Sequence, residues 1–280
     1  MDKFSVAISV YKNDVPEHFD TALASITTEQ TVKPDEIVLI VDGPVPDGVN
    51  SVIAKYEALY PAMFRVVRLE KNGGLGNALR LAVEMANNEL IARMDSDDIA
   101  LPTRFEQQLI FFADNPKLDI VGGDITEFIN EPGDIVGKRM VPQNDEDIKV
   151  YMHRRCAMNH MTVMYKKRAV IKVGNYIDWF CNEDYYLWIR MQQGGCNFAN
   201  TGTVLVNVRT GANMYQRRGG KKYFQSEKRL QDYMLDHKMI SRSTYCMNVI
   251  KRWIVQVALP NSIRGWVFRT FARSRGVTKA

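Results

Sequence analysis

Within the first hundred residues, short aliphatic runs alternate with stretches of helical periodicity, and only tight turns separate them. FSVAISVY (4–11) has period-2 character, DEIVLIVDG (35–43) is a continuous β-branched run closed by Asp-Gly, and RVVRLE (65–70) and LIARM (90–94) are further strands. Between them, EHFDTALASITTEQ is helical, and GNALRLAVEMANNE puts Leu79, Ala82, Val83 and Ala86 on one helical face. Strands and helices that alternate through short connections close into an α/β fold, a mostly parallel central sheet flanked by helices. Ligands of such sheets bind at the carboxyl ends of the strands. Asp42 and the acidic stretch Asp95–Asp98 both follow a predicted strand, so both belong on that edge.

The pattern continues less regularly. Pro102 opens a predicted helix, PTRFEQQLIFFADN, where its missing N–H costs nothing. LDIVGGDITEFI is a strand, and residues 131–147, rich in Pro, Gly, Asp and Asn, predict a long surface loop. MTVMYKKRAVIKVG, the aromatic YIDWFCNEDYYLWIRMQQGG and the strand TVLVNVRTG follow. No repeat or low-complexity segment is present.

Charge divides the chain more sharply than its net +5 suggests. From Gly211 onward fifteen Lys and Arg face three acids, leaving +12, while the first 210 residues hold twenty-two against twenty-nine, leaving −7. A basic tail after an acidic body suits nucleic acid or an anionic membrane surface, and no nucleic-acid-binding module is recognisable, which disfavours the former. No uninterrupted apolar run reaches the length of a membrane span, and no signal peptide is evident, so a cytoplasmic location is expected. Cys156, Cys181, Cys196 and Cys246 are scattered without metal-ligand spacing, which predicts plain thiols, most of them buried.

IARMDSDDIALP sets Asp95, Asp97 and Asp98 at the tip of an apolar strand. Carboxylates this close repel, and a divalent cation, Mn²⁺ or Mg²⁺, resolves the repulsion by taking one or two carboxylates together with substrate phosphates. The same aspartates also fit a turn and a helix cap, and Asp98 fits a cap or a supporting group best. Gly73, Gly74 and Gly76 lie between a strand and a helix, where backbone N–H groups can meet negative charge. Asp42 fits both a ligand contact and an Asp-Gly turn. Glu183 and Asp184 open a helical pattern, where they favour the helix dipole or supply a general base.

Taken together and in order, ISVYKND, IVLIVDG, KNGGLGNALRLAVEMANNELIARMDSDDIALPTRFEQQ and NHMTVMYKKRAVIKVGNY…NEDYYLWIRM resemble the family 2 glycosyltransferases, inverting enzymes of the GT-A fold. The resemblance spans roughly residues 4–210. It implies a Rossmann-like catalytic domain over 1–210, with a nucleotide-sugar half to about 125 and an acceptor half beyond, and a basic helical extension over 211–280. It further implies that Asp95 and Asp97, with Ser96 between them, hold metal and sugar nucleotide, that Asp42 contacts the base, and that Asp184 is the catalytic base. Ser9, Val10, Tyr11, Asn72, Gly73 and Asn77 are expected about the nucleotide. Asp98, His160, Glu183, Trp188 and Arg209 are candidates for donor or acceptor contact, although a lone histidine such as His160 is more often a structural hydrogen-bonder, and Arg217, Arg218, Lys221 and Lys222 form a basic run that can close over a diphosphate or simply be solvated.

The implied reaction moves a hexose, galactose or glucose, from a UDP-sugar to a glycan on undecaprenyl diphosphate during bacterial O-antigen or capsule assembly. Other classes compatible with acidic strand ends are a metal-dependent nucleotidyltransferase or phosphohydrolase and a non-catalytic membrane-associated nucleotide-sugar-binding protein. CMNVIKRWIVQVALP and NSIRGWVFRTFARSRG are amphipathic. They suit peripheral contact with an anionic inner membrane or simple packing on the body.

Overall fold

A computed structural model describes residues 2–211 and 219–259. Strands β1 (Phe4–Val10), β2 (Glu36–Val41), β3 (Phe64–Arg68) and β4 (Leu90–Met94) run parallel in the order β3-β2-β1-β4. Helices α1 (Pro16–Ile26), α2 (Asp47–Leu59) and α3 (Leu75–Met85) connect them. Past β4 come β5 (Ile99–Ala100), β6 (Ile120–Phe128), β7 (Ile135–Arg139), β8 (Met164–Lys166) and β9 (Phe198–Arg209). β8 joins β4 and β6 antiparallel, β9 runs parallel to β6, and β5 closes the far edge against β9. The strand order reverses at β1, so the carboxyl ends of β1 and β4 flank a crevice of the kind that binds nucleotides.

The period-2 character of β1 has a different origin from the usual core-and-solvent alternation. Six of its seven residues are buried, because both faces are covered. Phe4, Val6, Ile8 and Val10 enter a core shared with α1, α2 and α4 (Arg104–Asp114), whereas Ala7 enters a second core with α3 and α7 (Glu183–Gln193). The predicted face of α3 is buried as expected at Leu79, Ala82, Val83 and Ala86.

Several expectations need correction. Residues 131–147 are not one loop: β7 pairs with β6 there, and α5 (Asp145–Met152) begins at its end. Asn144 caps α5 by accepting the Asp147 N–H at 2.9 Å, with three acids in the first turn. Neither α5 nor α2 is anticipated by the sequence reading. The Pro102 helix begins two residues later, at Arg104. Of the cysteines only Cys196 is buried; Cys156 is half-buried, and Cys181 and Cys246 are exposed.

After α6 (Lys167–Lys172) and α7, the described part of the basic tail forms α8 (Lys221–Asp236) and α9 (Arg242–Trp253). Both pack on the body. Leu230 and Met234 join the α7 core, Trp179 donates to the Ser226 carbonyl at 3.3 Å, and Asn248 donates to the His153 carbonyl at 2.9 Å. Among the described residues no helix is long and apolar enough to cross a membrane. Arg217, Arg218 and the amphipathic segment 261–276 lie outside the described residues.

Candidate active site

Three strand ends deliver carboxylates to one crevice. β1 runs out into Asp14, β2 into Asp42 and β4 into Asp95–Asp98. With Ser9, Tyr11, Asn72, Gly74, Leu75, Met161, Val208 and Arg209 they line a cavity of about 450 Å³. Five aspartates against one arginine leave that cavity strongly acidic.

The fold has partly balanced this charge. Arg93, buried on β4, forms an ion pair with Asp95. Asp98 is buried and accepts the Arg209 backbone N–H at 2.9 Å, which ties the acidic turn to the end of β9. Burial, then Asp95 and Asp97, drive its carboxyl well above the usual range, and its bond to the Arg209 N–H makes Asp98 a brace within the cavity wall. Asp97 reaches solvent, yet the surrounding protein and the neighbouring Asp95 and Asp14 push it up to about 6. Asp95 and Asp97 thus share one cavity and repel, which is the situation a divalent cation relieves. Among the described residues no three His, Cys, Asp or Glu side chains gather as a ready-made metal cage. The donor set fits a cation only as two carboxylates completed by substrate phosphates.

Asp42 does more than turn the chain. Its carboxylate accepts from Gly73 N at 2.7 Å, Gly74 N at 3.0 Å and Asn72 Nδ2 at 2.9 Å. The glycine-loop amides expected to face a ligand's negative charge are therefore donated to Asp42. A carboxylate has about four lone-pair directions, so three bonds leave one, and Asp42 is among the residues that line the cavity. Gly43, at φ +84°, makes the approach feasible: a Cβ there would stand 2.6 Å from the Asn72 nitrogen. Asn77 braces the same loop by donating to the Gly73 carbonyl at 2.8 Å, and neither Gly73 nor Asn77 lines the cavity. Val10 does not either: its side chain is buried and its carbonyl accepts the Asp42 N–H.

Arg209 sits at the cavity edge, its guanidinium 4.7 Å from the Phe128 ring centroid and donating to the Asp97 and Asn130 carbonyls. Asp14, absent from the sequence reading although its motif ISVYKND is part of it, accepts the Tyr11 N–H at 2.8 Å and bonds Ser96. Burial raises its carboxyl to about 6. The signal was available, since an acid closely follows the first strand.

Asp184 opens elsewhere, onto a second cavity of about 700 Å³ built from α7, α8, α9 and the segments around Arg139 and Arg154. The helix that carries it is fixed by an almost wholly buried run, Tyr185, Leu187, Trp188, Ile189 and Met191, which leaves the acidic first turn at the mouth. Glu183 opens the same helix just before it, and burial, then Asp184, with Asp95 contributing, raise it to about 7. It lines neither cavity.

Two expected contacts are not available. Trp188 is fully buried, ringed by His160, Tyr165 and Tyr176. His160 is buried, its Nε2 is 2.9 Å from Tyr176 Oη, and desolvation followed by Arg93 holds it neutral well below its usual range. Both are core residues. Lys222 lies 4.0 Å from the Phe180 ring centroid, and neither it nor Lys221 lines the donor-side cavity.

Known proteins resemble this chain in sequence and in fold. The chain is 36% identical to a UDP-Gal:alpha-D-GlcNAc-diphosphoundecaprenol beta-1,3-galactosyltransferase of Escherichia coli over 97% of both chains. It is 39% identical to the amylovoran biosynthesis glycosyltransferase AmsE of Erwinia amylovora, covering 81% of this chain and 84% of that one. In fold it is similar to S. aureus TarS in complex with UDP-GlcNAc, at TM-score 0.65 and 16% identity over 90% of this chain and 72% of that one. A mannosyltransferase of Pyrobaculum calidifontis, solved with GDP-Man and Mn²⁺, aligns at TM-score 0.63 and 15% identity over 98% and 76%. The fold is thus GT-A. Residues 5–174, which hold Asp42 and the Asp95–Asp98 turn but stop short of Asp184, match the model of glycosyl transferase family 2, and to that family the chain belongs.

Proposed function

We propose that this glycosyltransferase moves a hexose, galactose or glucose, from a UDP-sugar to a hydroxyl of a glycan borne on undecaprenyl diphosphate. It would act at the cytoplasmic face of the inner membrane in O-antigen or capsule assembly. The observation that carries the reading is the pairing of two cavities, one acidic at the strand ends and one opened by Asp184. The named activity of the galactosyltransferase relative supports the donor and acceptor classes.

Ser9, Tyr11, Asn72 and the free side of Asp42 wall the space for base and ribose. Asp95 and Asp97 would hold Mn²⁺ or Mg²⁺, whose Lewis acidity offsets the charge that builds on the departing nucleoside diphosphate. Arg209, at the edge of the same cavity, adds fixed positive charge. Asp184 takes the proton from the acceptor hydroxyl as its oxygen attacks C1 from the face opposite the leaving group. A single displacement of this kind turns an α-linked donor into a β-linked product, through the oxocarbenium-like state shared with glycosidases.

The test is donor turnover across UDP-, GDP- and dTDP-sugars with Mn²⁺, Mg²⁺ or EDTA. Metal-dependent turnover of a UDP-hexose is expected. Turnover that persists in EDTA would contradict the role given to Asp95 and Asp97, and donor binding without any transfer would leave only a binding protein.

A further inference from the structure

The cavity onto which Asp184 opens is basic, whereas the donor cavity is acidic. Arg139, Arg154, Arg155, Lys251 and Arg252 line it against two carboxylates, Asp184 and Glu227. These cations come from three separate stretches of chain, and the fold fixes several of them. Arg252 pairs with Glu227 at 3.0 Å and donates to the Arg154 carbonyl at 2.8 Å, while Arg139 donates to the Cys156 carbonyl at 2.6 Å. Arg154 and Lys251 are exposed at the rim. A guanidinium carries five donors in a planar fork that matches phosphate oxygens.

α9 and the π-helical turn after it (Ile254–Ala258) present a second face beside the cavity. Asn248, Lys251, Arg252 and Val255 line the cavity, whereas Met247, Ile250, Trp253 and Ile254 stand 38% to 58% exposed. A basic hollow beside an apolar stripe matches a ligand with a charged diphosphate head and a hydrocarbon tail. A neutral sugar acceptor would call for neither.

We propose that the cavity between α7, α8 and α9 seats the diphosphate of a lipid-linked acceptor, with Arg154 and Lys251 at its entrance and the acceptor sugar directed toward Asp184. This rests on the glycosyltransferase reading above and adds to it a rule of discrimination. The donor diphosphate enters an acidic site and needs a cation, whereas the acceptor diphosphate enters a basic site and needs none. The enzyme tells two diphosphates apart by the charge of the pocket rather than by their shared chemistry.

Calorimetric titration with decyl diphosphate in EDTA tests this on the full chain. Binding is expected without metal, to persist when UDP and Mn²⁺ are supplied in excess, and to exceed that of inorganic pyrophosphate. Arg154→Gln with Lys251→Gln, both surface changes, is expected to weaken it by about ten-fold or more, and Arg252→Gln by at least as much. Displacement by UDP, a requirement for metal, or unchanged affinity in the double variant would overturn the proposal. Equal affinity for pyrophosphate would overturn the lipid-linked part of it. Loss of UDP binding and of donor turnover in the parent protein would instead refute the underlying glycosyltransferase reading, so the two failures are distinguishable.

Discussion

Replacing Asp42 separates two roles that its position supports, contact with the nucleotide and anchorage of the loop at 72–74. The parent carboxylate receives three N–H donors within 3.0 Å from that loop. Hydrogen bonds to a charged group contribute about 1.5–3 kcal/mol each when buried. Asn72 and Gly73 are exposed, so water replaces part of what is lost, and about 1 kcal/mol per bond applies. Asp42→Ala is expected to destabilise the fold by about 3 kcal/mol, a drop in Tm of roughly 6–12 °C for a chain of this size. Asp42→Asn keeps one accepting oxygen but turns an NH₂ toward an N–H, so it should cost about 2 kcal/mol. Urea unfolding reads the stability, and UDP titration, expected to weaken about ten-fold as the loop wall loosens, reads the site. If both variants unfold within about 0.5 kcal/mol of the parent while UDP binding falls, Asp42 touches the nucleotide and anchors nothing, and the loop argument is refuted.

Glu183→Gln should stabilise the protein in a pH-dependent way. With a folded value near 7 against an ordinary 4.5, Glu183 keeps its proton in the folded state after the unfolded chain has released it. Its unfavourable contribution therefore grows as pH rises from about 4.5 to 7, to a ceiling of about 3 kcal/mol. The variant should equal the parent at pH 4 and exceed it at pH 8, and a difference independent of pH would remove the buried-carboxylate account. Trp188→Ala should cost about 3–5 kcal/mol in urea unfolding without changing the KM for donor at low temperature, because the ring fills the core and touches neither cavity. A selective rise in donor or acceptor KM would restore the ligand contact expected from sequence.

The donor side of the site was legible because its residues follow strands. Alternating strand and helix signals fix a sheet, the sheet has one ligand-binding edge, and Asp42 and Asp95–Asp98 each close a strand run. What periodicity alone could not say is which carboxylates face a ligand and which hold the fold. Asp98 and Asp42 turn out to bond backbone N–H groups, and only the geometry of β9 and the loop at 72–74 shows it. The segment 131–147 reads as loop because β7 is an exposed edge strand with two glycines and acids around it, too weak a pattern to stand without its partner β6. Trp188 and His160 show the converse: each stands near a motif, and only its burial in the fold separates a core residue from a ligand contact. The basic cavity escaped altogether, since Arg139, Arg154 and Lys251 are more than a hundred positions apart end to end and meet only when α9 packs beside α5.

The central claim is that Asp184 activates the acceptor from one cavity while the donor is held in the other. The most direct measurement compares Asp184→Asn with the parent in UDP-sugar affinity and in transfer to an α-GlcNAc diphosphate acceptor carrying a decyl chain. The account predicts donor affinity within about two-fold of the parent and transfer reduced by about 10²-fold or more. Near-normal transfer by Asp184→Asn, or loss of donor binding in step with activity, would contradict it.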